Sequence, residues 1–517
     1  ARGLQVACVE AADWASGTSS KSTKLVHGGV RYLEKAVREL DAQQYRLVDE
    51  ALRERATFLR IAPHLTGQLP IVLPIYRAHL VPYFWLGSKA YDLVAGRAGL
   101  HASYFMPRAR VLQAFPLLRG DGLAGAMVYY DGVQNDARMN LALALTAIYH
   151  GATVTNYTRV VGLLKDADGA GRVSGAVVED VLTGERWPVR ARTVINATGP
   201  FCDAIRRMDD PGIAPIVVPS AGTHIVLPAH FGSREHLGVI DPATSDGRVL
   251  FFLPWEGRLL AGTTDAPAEI SAEPRPTAAE VDFILAEMRK HLAEDVDLGR
   301  ADVLAAWKGL RPLVKDPSTP KATAALVRSH LIEGNRAGGM ITISGGKWTT
   351  YRHMAQETID AAIKHGNLRP TTPRADTAKV PLIGAHAYDP KAYLQLVRTT
   401  GLSAAVAQHL ASSYGDRAAA VVAGPHENYA LLSPDFPYLE CEIRWACRHE
   451  YAQTATDVLA RRLRLAFLSV GAAREALPRV LAVMREELGW SRERTAREQR
   501  EAESFLVSMG SRLWEDA

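Results

Sequence analysis

Cysteine is scarce. The 517 residues hold only Cys8, Cys202, Cys441 and Cys447, with no C-x-x-C pair among them. Sparse, unpaired thiols argue against a disulfide-stapled secreted fold and fit a reducing compartment. No histidine cluster has ligand spacing either, which argues against a structural zinc site and leaves no metal to expect. No uninterrupted apolar run approaches the roughly 18 residues of a membrane-crossing helix, and no signal-peptide pattern opens the chain. Neither sign of charge dominates: 60 Lys and Arg against 56 Asp and Glu leave a net +4. That mild excess leans slightly toward an anionic substrate or an acidic membrane surface and gives no reason to expect nucleic acid. No G-x-G-x-x-G string is expected anywhere in the chain; in a dinucleotide-binding fold that loop joins the first strand to the first helix and cradles the pyrophosphate.

What is present is ordinary globular composition, 47% hydrophobic and 22% charged, in a chain long enough for about two or three domains. Residues 4–9, LQVACV, read as a short buried strand ending at Glu10. Helical periodicity runs through 42–62 and 136–150, and again through about 277–293 and 346–364. Strand-like runs lie at 153–157, 159–164, 172–178 and 193–197, with a hairpin turn at 166–171, and two more flank residue 255. The Pro- and Thr-rich stretch 367–377 reads as a linker, and beyond it the chain is Ala-, Leu- and Arg-rich and helical.

Four segments carry candidate chemistry. The first is SGTSSKSTKLVHGGVRYL at 16–33. Its hydroxyls and small residues let backbone N–H groups approach a diphosphate, and Gly28–Gly29 would let the chain lie flat against a planar ring. Lys24, His27 and Arg31 have the spacing of one helix face, although the glycine pair works against a helix there. The second is NATGP at 196–200, whose small residues after an apolar strand allow a cofactor to cross the strand end. The third is WKGLRPL at 307–313, where Pro312 holds Arg311 extended and its guanidinium suits a bidentate anion. The fourth is ISGGKWTTYR at 343–352: a glycine pair before a helix whose free N–H groups attract an anion, with Lys347 in the first turn. Taken singly, each reads equally well as a solvated loop, a plain turn, a surface ion pair or a capped helix.

Together, and with APHL at 62–65, VQNDAR at 133–138, GTHIVLP at 222–228 and GTTD at 262–265, they resemble the FAD-dependent glycerol-3-phosphate dehydrogenases, within the D-amino-acid-oxidase-like flavoproteins. The resemblance covers nearly the whole chain. It implies an α/β fold: a Rossmann-like FAD-binding domain interleaved with a substrate-binding antiparallel sheet domain, plus an α-helical C-terminal cap domain. Flavin-binding segments are expected at about 1–74, 127–215 and 330–366, substrate-binding segments at about 75–126 and 216–329, and the cap at 378–517. The implied FAD ligands are Glu10, Thr18, Ser19, Ser22, Thr23, Lys24, Gly28, Gly29, Val160, Ala197, Thr198, Gly199, Gly345, Gly346 and Thr349. The implied substrate is sn-glycerol 3-phosphate, oxidised at C2 to dihydroxyacetone phosphate. Arg31, Tyr32, Arg328 and Lys347 would hold its phosphate, His27 or His224 would take the hydroxyl proton, and Arg311 would stabilise the developing alkoxide.

Family members begin with a strand and glycine-rich loop some twenty residues before the position of Ala1, so the sequence is expected to be part of a longer protein. Electrons are expected to pass to membrane quinone, with oxygen as the alternative acceptor. The aromatic and basic stretch 81–100 is a candidate for resting on an anionic membrane surface, at the cytoplasmic face of the cell membrane, or else for an ordinary buried helix. Arg461, Arg462 and Arg464 read as a solvated helix face or as lipid contacts. A homodimer is compatible with the sequence. Two rival readings are an amine or amino-acid oxidase, which needs fewer phosphate-binding cations, and a metabolite-binding protein without flavin, which has no use for His27, Arg311 and Lys347.

Overall fold

A computed structural model describes residues 1–28, 42–166, 171–242, 244–315, 330–423 and 429–510. Gly29, Arg31, Tyr32 and Arg328, and most of the expected turn at 166–171, lie outside them.

The largest sheet has ten strands. In spatial order they are Ala266–Pro267, Val217–Pro228, Arg258–Gly262, Leu250–Trp255, Gly238–Asp241, Thr66–Ile75, Gly125–Gln134 and Leu25–Val26. Ala305–Val314 pairs Val217–Pro228, and Tyr104–Pro107 pairs Gly125–Gln134. Only Gly238–Asp241 against Thr66–Ile75 is parallel. Side chains alternate across a strand, so one sheet feeds two cores. Ile71, Val226 and Leu260 enter the core formed with the C-terminal helices, around Trp255, Trp307 and Phe467. Val72, Ile225 and Leu259 enter the opposite core, under the helix Ala278–Arg289. That helix begins where Thr277 and Glu280 form a capping box.

The Rossmann-like part is built from smaller pieces. Ala7–Val9 pairs in parallel with Thr153–Thr155, and Val194–Asn196 pairs in parallel with Met340–Gly345. The Thr158–Lys165, Val173–Asp180 and Arg186–Arg190 strands form an antiparallel meander. The expected buried strand at 4–9 is corrected: only Ala7–Val9 is strand, Cys8 is exposed and Val6 is 49% exposed. Among the described residues Ala7–Val9 has a neighbour on one side only, as does Val194–Asn196, where Ile195 is 38% exposed. A parallel strand is normally covered on both faces and both edges, and these two are not.

The expectation that the chain carries no G-x-G-x-x-G string is also corrected. Gly120, Gly122 and Gly125 have that spacing, but they lead from a turn into the Gly125–Gln134 strand, the wrong context for a phosphate cradle.

The C-terminal region is helical, and it does not stand apart. Arg461, Arg462 and Arg464 are not on a solvated face: they are buried against the rest of the chain. Arg461 Nε and Arg462 Nη1 donate to Asp13 Oδ2 at 2.6 and 2.8 Å, and Arg462 Nη2 to Oδ1 at 3.0 Å. Arg138 grips Glu450 with two bonds of 2.8 and 2.9 Å, and Tyr157 donates to Asp457 at 2.7 Å. Buried guanidinium–carboxylate forks are favourable only when complete. The sequence does not show which of its many arginines complete them.

Burial alone would raise the Asp13 carboxyl, but Arg462 and Arg461 outweigh it and hold the group at about 2. A folded-state value below the ordinary 3.8 stabilises the fold above that pH, and the contribution is lost as pH falls toward 2. Asp13→Asn should therefore cost about 3–5 kcal/mol near neutral pH by leaving Arg461 with Asp457 and Arg462 with Glu450 short of the carboxylate they share. The gap to the parent should narrow as pH drops from about 4 to 2. Urea unfolding midpoints across that range measure both effects.

Candidate active site

The hydroxyl-rich run is folded back on itself by its own backbone carbonyls. Trp348 Nε1 donates to Ser19 O at 2.9 Å, and Lys24 Nζ to Ser20 O at 2.9 Å and Ser22 O at 3.0 Å. Thr18–Ser20 makes one 3-10 turn, closed by Lys21 N to Thr18 O at 3.0 Å. Thr18 Oγ1 donates to Leu310 O at 2.7 Å, tying the run to the Ala305–Val314 strand. Asp136 anchors the far end: its Oδ2 accepts from Ser22 N, Ser22 Oγ and Lys24 Nζ at 3.1, 2.7 and 2.7 Å.

The side chains of Ser22 and Lys24 are both engaged by Asp136. Burial pulls the Lys24 ammonium down to about 7, against the attraction of Asp136. Between Lys24 and His27 the chain is extended, not helical: Leu25–Val26 pairs with the Gly125–Gln134 strand, and Arg31 lies outside the described residues.

His27 and Gly28 follow that strand. A Cβ on Gly28 would lie 2.4 Å from both Leu52 and the Tyr91 hydroxyl, so the glycine answers to a protein neighbour. Beneath it, Arg55 Nη1 and the Tyr91 hydroxyl both donate to Asp131 Oδ1, at 2.6 and 3.2 Å. His27 is pushed down to about 3 by burial, then by Lys347 and Arg55. It is a neutral imidazole at physiological pH.

The opposite wall comes from Val217–Pro228 and Ala305–Val314, whose register sets Arg311 beside Ser220 and Trp307 beside His224. Arg311 is aimed by its own bonds: Nη1 to Asp265 at 2.9 Å and Ser220 Oγ at 3.4 Å, Nη2 to Thr263 Oγ1 and Thr264 O at 3.0 Å each. Its partner Asp265 is half exposed. Gly222 leaves the room Arg311 needs, since a Cβ there would meet Nη2 at 2.4 Å. His224 is 3% exposed, stacked on Trp307 at 5.5 Å, with Nε2 2.9 Å from Thr23 Oγ1. Burial, Lys24 and Arg311 hold it well below its usual value.

Two strand ends complete the site. Gly345 and Gly346, at φ 84° and 78°, turn the chain out of Met340–Gly345. The expected helix then begins later: a 3-10 turn at Trp348–Thr350 intervenes before Tyr351–His365. Lys347 thus sits at the cap of that turn, not within the first turn of the helix, and Thr349 is buried. After Asn196, the exposed Ala197 and Thr198 lead to Gly199 at φ 57°. A Cβ added at Gly17 or Gly199 meets nothing within 4 Å. Glu10 ends its strand with Oε1 accepting from Ala12 N at 3.1 Å, and burial raises its carboxyl. Val160 lies half-buried on Thr158–Lys165, opposite Val178.

The structure thus brings Thr18–His27, His224, Arg311 and Lys347 to one site. Sequence reasoning missed Asp136, Arg55, Asp131, Tyr91, Asp265 and Arg464. Asp136 and Asp265 sit in VQNDAR and GTTD, which were visible as motifs without a role. The others carry no local signal.

A family model described as "FAD dependent oxidoreductase" matches residues 1–352, and one for the "C-terminal domain of alpha-glycerophosphate oxidase" matches 375–495. The mitochondrial glycerol-3-phosphate dehydrogenase of Mus musculus is 52% identical over 98% of this chain and 70% of its own length. That of Arabidopsis thaliana is 44% identical over 99% of this chain and 83% of its own. The X-ray structure of the Bacillus halodurans glycerol-3-phosphate dehydrogenase complexed with FAD superposes with a TM-score of 0.77, at 29% identity, over 99% of this chain and 91% of that one. The chain belongs to the FAD-dependent glycerol-3-phosphate dehydrogenases.

For a dehydrogenase of this family the open side of the run matters most. The space beside Gly17 and Gly199, the exposed Ala197 and Thr198 and the turn at Gly345–Gly346 suit an extended dinucleotide laid along backbone. Gly28→Ala, by contrast, fills space already taken. It should cost about 1–3 kcal/mol of unfolding free energy through overpacking against Leu52 and Tyr91. Urea titration reads that loss, and a variant as stable as the parent would contradict the packing described.

Proposed function

We propose that this chain oxidises sn-glycerol 3-phosphate at C2 to dihydroxyacetone phosphate and passes the electrons to a membrane quinone. The substrate and the use of FAD rest on the similarity, over nearly the whole of this chain, to glycerol-3-phosphate dehydrogenases. When bound, FAD supplies the hydride acceptor. The backbone of Thr18, Ser19 and Thr23, with Gly28, Ala197, Thr198, Gly199, Gly345, Gly346, Thr349, Glu10 and Val160, is our assignment for holding it, together with Gly29.

Arg311 and Lys347 hold the phosphate in this reading, with Arg31, Tyr32 and Arg328 assigned the same work. Arg311 arrives pre-aimed by Asp265, Thr263 and Ser220, so little freedom is lost on binding. The observation that carries the mechanism is His27: neutral, half-buried and beside Lys347. Burial depresses it most, and Lys347 next; a dianionic phosphate held by Lys347 would offset that second part. Bound substrate therefore raises the affinity of His27 for a proton just when the C2 hydroxyl must lose one. Arg311 stabilises the alkoxide that forms. We assign the base to His27 and give His224 the holding of Thr23, because His224 is 3% exposed and already bonded.

His27→Asn should slow anaerobic flavin reduction by about a hundred- to ten-thousand-fold. At saturating substrate the parent's rate should fall with acid along a limb lying above pH 3, and the variant should lack that limb. Arg311→Met should raise the substrate dissociation constant as well as slow reduction. An unchanged reduction rate in His27→Asn would refute the assignment.

No helix is long and apolar enough to cross a membrane among the described residues. The helix Val81–Ala95 nevertheless exposes Tyr83, Trp85, Leu86 and Leu93, at 52, 47, 66 and 82%. It is not the ordinary buried helix that was the alternative. Lys89 is turned inward to Ser103 O and Asp92, so the face is apolar and not basic. We assign this face to the membrane interface and hence favour quinone over oxygen. Replacing Trp85, Leu86 and Leu93 together by Glu should abolish liposome flotation while leaving flavin reduction intact.

A further inference from the structure

Among the described residues, Arg464 makes the hydrogen bond by which the C-terminal region reaches the hydroxyl run. It follows a π-helical turn at Asp457–Arg462 and adopts a left-handed backbone, φ 65°. Its guanidinium carbon lies 4.0 Å from the Phe467 ring centre and 5.4 Å from that of Trp255. Nη1 donates to Ala460 O at 3.1 Å, and Nη2 donates to Ser20 O at 2.9 Å. Nη2 also lies 3.4 Å from Asp136 Oδ1. The side chain is buried.

Ser20 O is thus held by two cations, Lys24 Nζ and Arg464 Nη2, and Asp136 faces both. A trans peptide points each N–H opposite to the preceding carbonyl. Turning Ser20 O inward fixes Lys21 N–H, which closes the Thr18–Ser20 turn, and turning Ser22 O inward directs Thr23 N–H away from Lys24. Arg464 and Lys24 thus fix the Ser20–Lys21 peptide, whose N–H is taken by Thr18 O, and with it the shape of the Thr18–Ser20 turn, while Lys24 alone fixes the Ser22–Thr23 peptide.

We propose that Arg464 is a positioning residue for the flavin: through the Ser20 carbonyl it holds the Thr18–Ser20 turn in the shape that binds FAD, and so makes the C-terminal region a working part of the cofactor site. This rests on the assignment above that the run lines FAD. A merely structural arginine would change stability alone. A positioning arginine changes how the flavin is held in protein that remains folded.

The test uses the whole chain as holoenzyme, with Arg464→Met and Arg464→Lys, read by FAD dissociation constant, the visible circular dichroism of bound flavin, and thermal unfolding. Lysine keeps the charge but not the two-pronged contact. Arg464→Met should weaken FAD binding by about ten-fold or more, as expected for losing a buried charge-assisted bond, and should alter the flavin dichroism. Arg464→Lys should fall between Met and the parent in both. If Arg464→Met yields no folded protein, Arg464→Lys alone decides: weaker FAD binding with altered dichroism supports the role. Native FAD affinity and dichroism in every variant that folds, with only a lowered melting temperature, overturn it. Ser19→Phe separates the two readings, since it adds bulk to the run without touching the network. If Ser19→Phe weakens FAD binding and the Arg464 variants do not, the positioning role fails alone. If Ser19→Phe leaves FAD binding unchanged, the assignment of the run to FAD fails with it.

Discussion

The carboxylate of Asp136 is the fixed point of this molecule. It stands at the head of the helix Asp136–Tyr149, where Asn135 caps the first turn and free N–H groups favour a negative charge. Fully buried, it gathers Ser22, Lys24 and Arg464. Three distant stretches of chain are thereby forced to agree: the run near the start, the helix after the central strand, and the C-terminal helices. Each partner of such a site is stabilising only while the others stay, because a buried charge left alone is costly.

Around that anchor the protein separates two kinds of cation. Lys24, Arg461, Arg462 and Arg464 are internal and bound to carboxylates or carbonyls. Arg311 and Lys347 border the cleft, where Arg311 is about one-third exposed. The first group shapes the backbone. Burial, then Lys347 of the second group, keeps His27 neutral, and Arg311 acts with burial and Lys24 on His224. Composition reports only a net +4 and cannot tell these groups apart.

Much of the fold was legible because it rests on local pattern. The helices Ala42–Ile61, Asp136–Tyr149 and Ala278–Arg289 and the hairpin around Trp255 follow from periodicity and caps that a reader can mark on the sequence. The site was legible as motifs, and the folded chain brings Thr18, His27, His224, Arg311 and Lys347 to one place. What was not legible is direction. Nothing in SGTSSKSTK says that Ser22 and Lys24 turn inward, since that depends on a carboxylate more than a hundred residues away. Nor does the Arg-rich tail announce its burial: the arginines of 461–464 look like a solvated face until Asp13 and Asp136 are placed opposite them. The strand at 7–9 was read as buried from its apolar letters, but burial depends on neighbours, and among the described residues it has one.

In the proposed reaction a phosphorylated polyol is oxidised at the flavin, its proton going to His27 and its phosphate held by Arg311 and Lys347. Anaerobic titration of the holoprotein, following flavin absorbance, is the decisive measurement. Bleaching by sn-glycerol 3-phosphate is expected in proportion to enzyme, and none by glycerol, which lacks the phosphate that Arg311 and Lys347 are assigned to hold. Bleaching by an amino acid or amine, with sn-glycerol 3-phosphate inert, would contradict that reaction.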